Sequence, residues 1–278
     1  MADVTLDGDV VAAYLQRLGL PPTPSDPPPT LSDPPPALDG AGLARLHRAH
    51  QLAVPFENLS IHLGEPISLA LPDLMTKILA RRRGGFCYEL NGAFAALLRA
   101  LGADVQLVAA RVHGGEGGFG PPFDHLALVV RTADGDGPWL ADVGFGDHSV
   151  HPLRLDDRGE QLDDAGTFTL LDVEDGDVEV RQDGEPVYRL ERRPRALADF
   201  APTCWYQATS PASHFTRSPI CSRLTPQGRV TLRGRRLLTT VGGERSEQTL
   251  ASDAEVLAAY RQHFDVTLDT VPAAPGTA

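Results

Sequence analysis

The chain has 278 residues, 42% of them hydrophobic, so it can bury a large core and form one to three domains. Twenty-five basic and 37 acidic side chains give a formal net charge of −12, which argues against a general nucleic-acid surface or an anionic-membrane surface. The sequence lacks an apolar run of about 18 residues, and its N-terminus lacks the basic and apolar regions of a signal peptide. We therefore expect a soluble globular protein in the cytoplasm.

Roughly the first 100 residues carry apolar side chains at helical spacing. This pattern predicts helices over Val10–Leu18, Leu43–Leu52 and Leu71–Leu79. Between the first two lies a proline-rich stretch, residues 21–36, which we expect to be an exposed extended loop because proline lacks a backbone N–H. His47 and His50 have an HxxH spacing inside the second helix. We expect them on its surface, since no third metal ligand is evident.

A fourth helix is predicted to begin near Cys87, directly after the diglycine turn Gly84-Gly85. Its apolar stripe consists of Leu90, Phe94, Leu97, Leu98 and Leu101, and the pattern ends at Gly102. Unpaired backbone N–H groups and the helix dipole favour a thiolate at such a helix start. The thiolate is the nucleophilic form of cysteine. The alternative is that Cys87 is a small buried hydrophobic residue, a common role for free cysteine.

From about Val105 the apolar spacing changes from helical to strand-like. Strands are predicted over Val105–Val112, His125–Arg131, Trp139–Val143, Phe168–Val173, Val178–Arg181 and Val187–Glu191. Six such runs favour an antiparallel barrel or curled sheet. A third segment, from about Ala201, has predicted strands at Cys221–Leu224, Arg229–Leu232 and Arg236–Thr240, a closing helix at Asp253–Phe264 and a disordered tail after Val271.

Two side chains in the strand region complement the cysteine. His125 heads one predicted strand, and Asp142 ends another immediately before a Gly-x-Gly turn. A helix packed on two adjacent antiparallel strands can bring Cys87, His125 and Asp142 together as nucleophile, proton partner and orienting carboxylate. Asp124 is a poorer partner for its neighbour His125, because adjacent strand residues point to opposite faces.

Two other histidines are weaker candidates for the base, since neither His113 nor His148 heads a strand. The three cysteines form no CxxC pair, so a disulfide framework and a structural zinc site are both disfavoured. We expect Cys204 and Cys221 to be buried and inert.

With these motifs the sequence resembles the arylamine N-acetyltransferases. The resemblance rests on the R-R-G-G-x-C-x-E-x-N-G stretch from Arg82 to Gly92, the strand at His125, the D-V-G-F-G turn from Asp142 and the segment Val54-Pro55-Phe56-Glu57-Asn58-Leu59. It extends from Tyr14 through Leu232. It implies that the catalytic triad is Cys87, His125 and Asp142, and that Arg17, Glu57 and Arg82 form a buried ionic cluster.

The resemblance also implies a fold and a reaction. The expected fold class is α+β, with a papain-like Cys-His-Asp core, an N-terminal helical bundle (1–104), a central antiparallel β-barrel (105–200) and a C-terminal α/β lid (201–278). The expected reaction is N-acetylation of arylamines and arylhydrazines, with O-acetylation of N-hydroxyarylamines, by ping-pong transfer through an acetyl-cysteine. Acetyl-coenzyme A is the co-substrate, and neither a tightly bound cofactor nor a metal is implied.

Further site residues follow from the same resemblance. Gly144, Phe145, Gly146, His214 and Thr216 are expected beside the coenzyme. Independently of the resemblance, aromatic residues are few, so Phe56, Phe86, Phe145 and Phe215 are expected to line the site of a flat acceptor ring, and core packing explains each of them equally well. A local coenzyme site is needed because coenzyme A is an anion and the chain is acidic.

Other readings stay open at this point. A macrolactam-forming amide synthase has the same fold and catalytic residues, a thiol hydrolase uses water as acceptor, and a binding module keeps only the scaffold. The sequence is compatible with a monomer and with a homodimer.

Overall fold

The computed structural model describes residues 6–21, 38–115 and 118–273. Residues 22–36 of the predicted proline-rich loop and the end of the predicted tail lie outside this range. Among the described residues, no helix is long and apolar enough to cross a membrane.

The N-terminal part is mainly helical. Its elements are α1 (Gly8–Arg17), α2 (Gly40–Ala53), the short strand β1 (Phe56–Glu57), α3 (Leu59–His62), α4 (Leu71–Met75), a π-helical turn (Thr76–Ala80) and α5 (Cys87–Ala100). Asp7 and Asp39 cap α1 and α2 by accepting backbone N–H groups of the first turn. Helix α5 is buried along almost its whole length, because it packs on α1 and α4 and on two strands of the following sheet.

The central part is an antiparallel sheet of eight strands that curls into a nearly closed barrel. The strands are β2 (Asp104–Val112), β3 (His125–Arg131), β4 (Trp139–Ala141), β5 (Leu153–Arg154), β6 (Gln161–Asp163), β7 (Gly166–Asp172), β8 (Val178–Gln182) and β9 (Glu185–Arg195), in the order β5-β4-β3-β2-β9-β8-β7-β6. The Gln161 side chain joins the two edges: it accepts the Arg154 N–H at 2.7 Å and donates to the Arg154 carbonyl at 2.9 Å.

The C-terminal part is a second antiparallel sheet covered by a helix. It contains α6 (Ala201–Thr209), β10 (Ile220–Thr225), β11 (Gly228–Arg233), β12 (Arg236–Val241), β13 (Glu244–Thr249) and α7 (Asp253–Phe264), and the sheet order is β1-β10-β11-β12-β13. Apolar residues of the sheet pack against α7. Val230 and Leu232 of β11 lie in one core cluster with Val256, Tyr260 and Phe264 of the helix. The opposite face of these strands carries mainly polar side chains and lies beside Gly146 and Asp147 of the loop after β4.

The predicted α+β class with a central antiparallel barrel is confirmed. Helices α3 and α6 and strands β1, β5, β6 and β13 were not predicted. The division into three domains at 104/105 and 200/201 stays a prediction. Strand β1 belongs to the N-terminal part in sequence but pairs with β10 in the C-terminal sheet. The surface prediction for His47 and His50 is wrong, because both side chains are fully buried.

Strand β1 and the diglycine turn lie directly against each other. The Glu57 N–H donates to the Gly85 carbonyl at 2.8 Å, and Phe56 and Gly85 form a parallel bridge. A Cβ atom at position 84 would lie 1.7 Å from the Pro55 carbonyl oxygen, so only glycine permits this approach. The two motifs are therefore one packed unit leading into α5.

The predicted ionic cluster requires a correction. Glu57, fully buried, accepts a hydrogen bond from Arg83 Nε at 2.9 Å, and the Arg83 side chain is only 2% exposed. Arg82 is half exposed and pairs with Asp265 instead, and Arg17 lies 3.8 Å from that same carboxylate. The backbone bends here: Arg82, two residues after the π-helical turn, has a positive φ of 51°, and its side chain is half exposed whereas that of Arg83 is buried.

We predict that Arg83→Ala lowers the free energy of unfolding by roughly 3–5 kcal/mol, because it leaves the Glu57 carboxylate buried without its partner. Arg82→Ala is the matched control, since it removes only an exposed pair and is expected to cost under about 1 kcal/mol. Urea unfolding of both variants measures the difference. Equal losses would contradict the assignment of Arg83 as the buried partner.

Candidate active site

The nucleophile candidate lies where the sequence predicted it. Cys87 is the first residue of α5, and the preceding Phe86 has extended backbone angles. Glu89 stabilises this helix start by accepting the Phe86 N–H at 3.3 Å. The Cys87 side chain is 3% exposed, and it lines a cavity of about 400 Å³. A small reactant in that cavity can therefore reach the sulfur.

The structure brings Cys87, His125 and Asp142 together. His125 Nε2 lies 2.6 Å from Asp142 Oδ2, and the Cys87 sulfur is close enough to the same imidazole to influence its pKa. Since Nε2 faces the carboxylate, Nδ1 is the ring nitrogen left for the sulfur. Burial disfavours the charged imidazolium, but the Asp142 carboxylate and the Cys87 sulfur outweigh it and raise the pKa of His125 to about 10. His125 therefore carries a proton at neutral pH.

Asp142 is held by more than its histidine. Asn91 Nδ2 donates to Asp142 Oδ1 at 2.8 Å, and the Gly144 N–H donates to the same oxygen at 3.0 Å. Burial opposes ionisation, but the His125 imidazolium and these hydrogen bonds hold the pKa of Asp142 well below its usual range. Asn91 had no role in the sequence prediction. Its position four residues after Cys87, on the same helix face, is the signal that could have identified it.

The turn after Asp142 presses against the start of α5. A Cβ atom on Gly144 would lie 2.8 Å from Cys87 Cα and 2.8 Å from Asn91 Nδ2. Glycine at this position therefore lets the turn reach the nucleophile. Phe145 follows and packs edge-on against the His125 ring, with ring centroids 5.2 Å apart.

The competing groups do not contact the triad in a catalytic arrangement. His148 is buried beside Phe145, where burial lowers its pKa to about 4, and its Nδ1 lies 3.1 Å from the Ser149 hydroxyl. Asp124 accepts a hydrogen bond from Gln207 at 2.6 Å. Burial raises the pKa of Cys204 and of Cys221, as expected for inert thiols.

Five of the eight predicted contact residues line this cavity. Gly146 lines the adjoining second cavity, and two residues, Phe86 and Thr216, line neither. The wall of the cavity at Cys87 includes Phe56, Gly144, Phe145, His214 and Phe215. Phe86 is fully buried in the core behind Phe215, with ring centroids 5.4 Å apart, rather than on the cavity wall.

Thr216 is the second exception. Its hydroxyl donates to the carbonyls of Ser210 and Ser213, at 2.9 and 3.0 Å. These bonds hold its own loop, so the hydroxyl is already engaged rather than free for a phosphate.

A second cavity of about 430 Å³ continues from the first, since both contain Phe56, Phe145, Ile220 and Arg233. Its floor is one face of strands β11–β13, and the side chains on that face are Arg229, Thr231, Arg233, Arg236, Leu238, Thr240, Arg245 and Glu247. Four arginines against Glu247 and Asp147 make this cleft basic in an acidic protein. The sequence prediction missed it.

Comparison with known proteins decides the family. The N-acetyltransferase family model matches residues 40–272. Arylamine N-acetyltransferase of Mycolicibacterium smegmatis is 32% identical over 265 residues, covering 93% of this chain and 92% of the relative. This chain belongs to the arylamine N-acetyltransferase family.

Solved structures of arylamine N-acetyltransferases are similar throughout the fold. That of M. smegmatis matches with a TM-score of 0.83 over 95% of this chain and 93% of its own, at 32% identity. That of Mycobacterium marinum in complex with CoA matches with a TM-score of 0.80, at 28% identity over 92% of each chain. The family expected from the motifs is thus confirmed.

For this arylamine N-acetyltransferase family member, we predict that Asp142→Asn lowers the pKa of His125 from about 10 toward neutrality. The variant removes the largest influence that raises the pKa, while burial, which lowers it, remains. Nitrogen-15 NMR of the histidine side chains across neutral and alkaline pH measures the change. Asp124→Asn, which alters the neighbouring carboxylate, is the control and should leave the His125 titration nearly unchanged.

Proposed function

We propose that this protein transfers the acetyl group of acetyl-coenzyme A to arylamines and arylhydrazines through an acetyl-Cys87 intermediate. The observation that carries the proposal is the Cys87–His125–Asp142 contact at the wall of a cavity that continues into a basic cleft. One ligand can therefore place a thioester at the sulfur and phosphates among arginines.

In the first half-reaction, the Cys87 sulfur attacks the thioester carbonyl carbon and forms a tetrahedral intermediate. The C–S bond to coenzyme A then breaks, and the His125 imidazolium gives its proton to the leaving thiolate. Asp142 stays ionised throughout, because it stabilises the protonated ring without taking the proton. The Cys87 backbone N–H at the helix start is the candidate donor for the oxyanion.

In the second half-reaction, the amine nitrogen attacks the acetyl-cysteine carbonyl, His125 accepts the amine proton, and the Cys87 thiolate leaves. Acetylation converts the sulfur to a thioester, and the sulfur is one of the influences that raise the pKa of His125. The ring therefore becomes easier to deprotonate in the acetylated enzyme. This change suits a group that must act as an acid first and as a base second.

The basic cleft is our candidate site for the coenzyme phosphates. Arg229 already pairs with Asp147 at 2.9 Å, and Arg236 lies 3.6 Å from Glu247. The side chains of Arg233 and Arg245 make no hydrogen bond or ion pair within the described part of the chain. Both are exposed toward the cleft, so their donors are available to an anion. This site supplies the local positive field that the acidic chain otherwise lacks.

The acceptor is proposed to bind in the cavity at Cys87, between the rings of Phe56, Phe145 and Phe215. Phe56 and Phe215 pack together with ring centroids 6.2 Å apart, which offers an apolar aromatic wall to an aromatic amine. The relative from Salmonella typhimurium, 34% identical over 197 residues that cover 68% of this chain and 69% of its own, is named as both an arylamine N-acetyltransferase and an N-hydroxyarylamine O-acetyltransferase. We extend the proposal to that O-acetylation.

The relatives are acetyltransferases, so we do not favour an amide synthase or a thiol hydrolase. The proposal also includes a cytoplasmic location and small-molecule partners. Acetyl-coenzyme A acts as a co-substrate rather than as a resident cofactor.

We predict that intact-protein mass spectrometry shows the gain of one acetyl group after mixing with acetyl-coenzyme A, and its loss on adding an arylamine. Cys87→Ala should show no gain, whereas Cys204→Ala, the control at a buried thiol, should be acetylated like the wild type. Acetyl transfer by Cys87→Ala would refute the mechanism.

We predict that Arg233→Ala raises KM for acetyl-coenzyme A roughly tenfold, since a hydrogen bond to a charged group contributes about 1.5 kcal/mol. With S-acetylpantetheine, which has no phosphates, KM should not change. Arg235→Ala is the matched control because Arg235 pairs with Asp253 at the adjacent turn. Equal effects on both thioesters would argue against phosphate contact.

A further inference from the structure

One buried histidine contacts both ends of the loop that carries the catalytic carboxylate. The loop runs from Asp142 to Val150 and includes Gly144 and Phe145 of the cavity wall. His47 Nε2 accepts the Asp142 backbone N–H at 3.0 Å, and His47 Nδ1 lies 2.8 Å from the Val150 carbonyl oxygen. A side chain of helix α2 thus spans the loop from its first residue to its last.

These two bonds define the state of the ring. A carbonyl oxygen can only accept, so Nδ1 carries the proton, and Nε2 must be unprotonated to accept from Asp142. Burial lowers the pKa of His47, which keeps the ring neutral. The neutral Nδ1–H tautomer is therefore the one form that satisfies both ends of the loop.

The neighbouring contacts fix the ring in place. Gln51, one helical turn later, donates to the Ser149 carbonyl at 3.0 Å and reaches the Val150 carbonyl at 3.3 Å. Phe94 of α5 packs edge-on against the His47 ring, with centroids 6.2 Å apart. Helix α5 carries the nucleophile, so His47 connects the nucleophile helix with the loop of the carboxylate.

We propose that His47 is a positioning residue: it sets the place of Asp142, and through Asp142 the orientation of His125 toward Cys87. It does not touch the reacting atoms. The inference rests on the proposed function only for its effect on turnover, since the geometry of the Cys87–His125 pair can be measured without acetyl-coenzyme A.

Two substitutions of His47 distinguish its contact with Asp142 from its contact with Val150. The Gln side chain can place its carbonyl oxygen near the position of Nε2, so His47→Gln can keep the bond from the Asp142 N–H. The shorter Asn side chain places its amide near Nδ1, so His47→Asn can keep only the Val150 contact. His50→Asn is the matched control: His50 is equally buried on α2 and packs on the same Phe94, but it hydrogen-bonds Tyr14 instead of the loop.

We expect His47→Asn to lower kcat, and the rate constant for Cys87 alkylation by iodoacetamide, by up to roughly 100-fold with little change in KM for acetyl-coenzyme A. His47→Gln should retain most of both rates. His50→Asn should lose stability in urea unfolding while its kcat and alkylation rate stay near wild type. Wild-type rates in His47→Asn, or equal losses in His47→Asn and His50→Asn, would overturn the proposal.

A measurement on the unaltered protein keeps the test independent of folding. Nitrogen-15 NMR should show His47 as a neutral Nδ1–H tautomer at neutral pH, and an imidazolium or an Nε2–H tautomer would overturn the proposal. Alkylation requires no acetyl-coenzyme A, so the alkylation rates test the role of His47 by themselves. A wild-type protein that fails to transfer acetyl groups would count against the proposed function only.

Discussion

The Asp142 carboxylate is the point at which three separate parts of the molecule are fixed relative to one another. Its oxygens bind the His125 ring of β3, the Asn91 amide of α5 and the N–H of its own turn at Gly144. A buried carboxylate is stable only when such partners surround it. The hydrogen bonds that stabilise the buried charge therefore also align α5, which carries the Cys87 sulfur, with β3, which carries the His125 imidazole.

Much of the architecture follows from periodicity. Helix α7 and strand β3 have the predicted bounds, because each buries one regular apolar face. Strand β13 was missed because all six of its side chains are exposed, so its sequence carries no alternation. Strand β1 contains only two residues, and its pairing with β10 depends on contacts across more than half of the chain. Such pairing has no local signal.

The proximity of Cys87, His125 and Asp142 was predictable, because their side-chain chemistry and their order in the chain both pointed to it. The site was not predictable where the answer depends on which way a side chain points. Arg82 and Arg83 are adjacent in one motif, and only the backbone turn shows which of them is buried. The basic cleft emerges from cross-strand register, because it places arginines from β11, β12 and β13 on one face although they are separated in sequence.

The position of β1 bears on how the molecule is made. Phe56 lines the cavity at Cys87, yet its strand partner Ser222 is synthesised 166 residues later. A nascent chain that already contains the cysteine, the histidine and the aspartate still lacks the strand that pairs with β1 and the side of the cavity formed by Phe215 and Ile220. The cavity and the basic cleft are therefore completed only late in synthesis. A chain that terminates before β10 has an incomplete pocket and cannot bind both reactants.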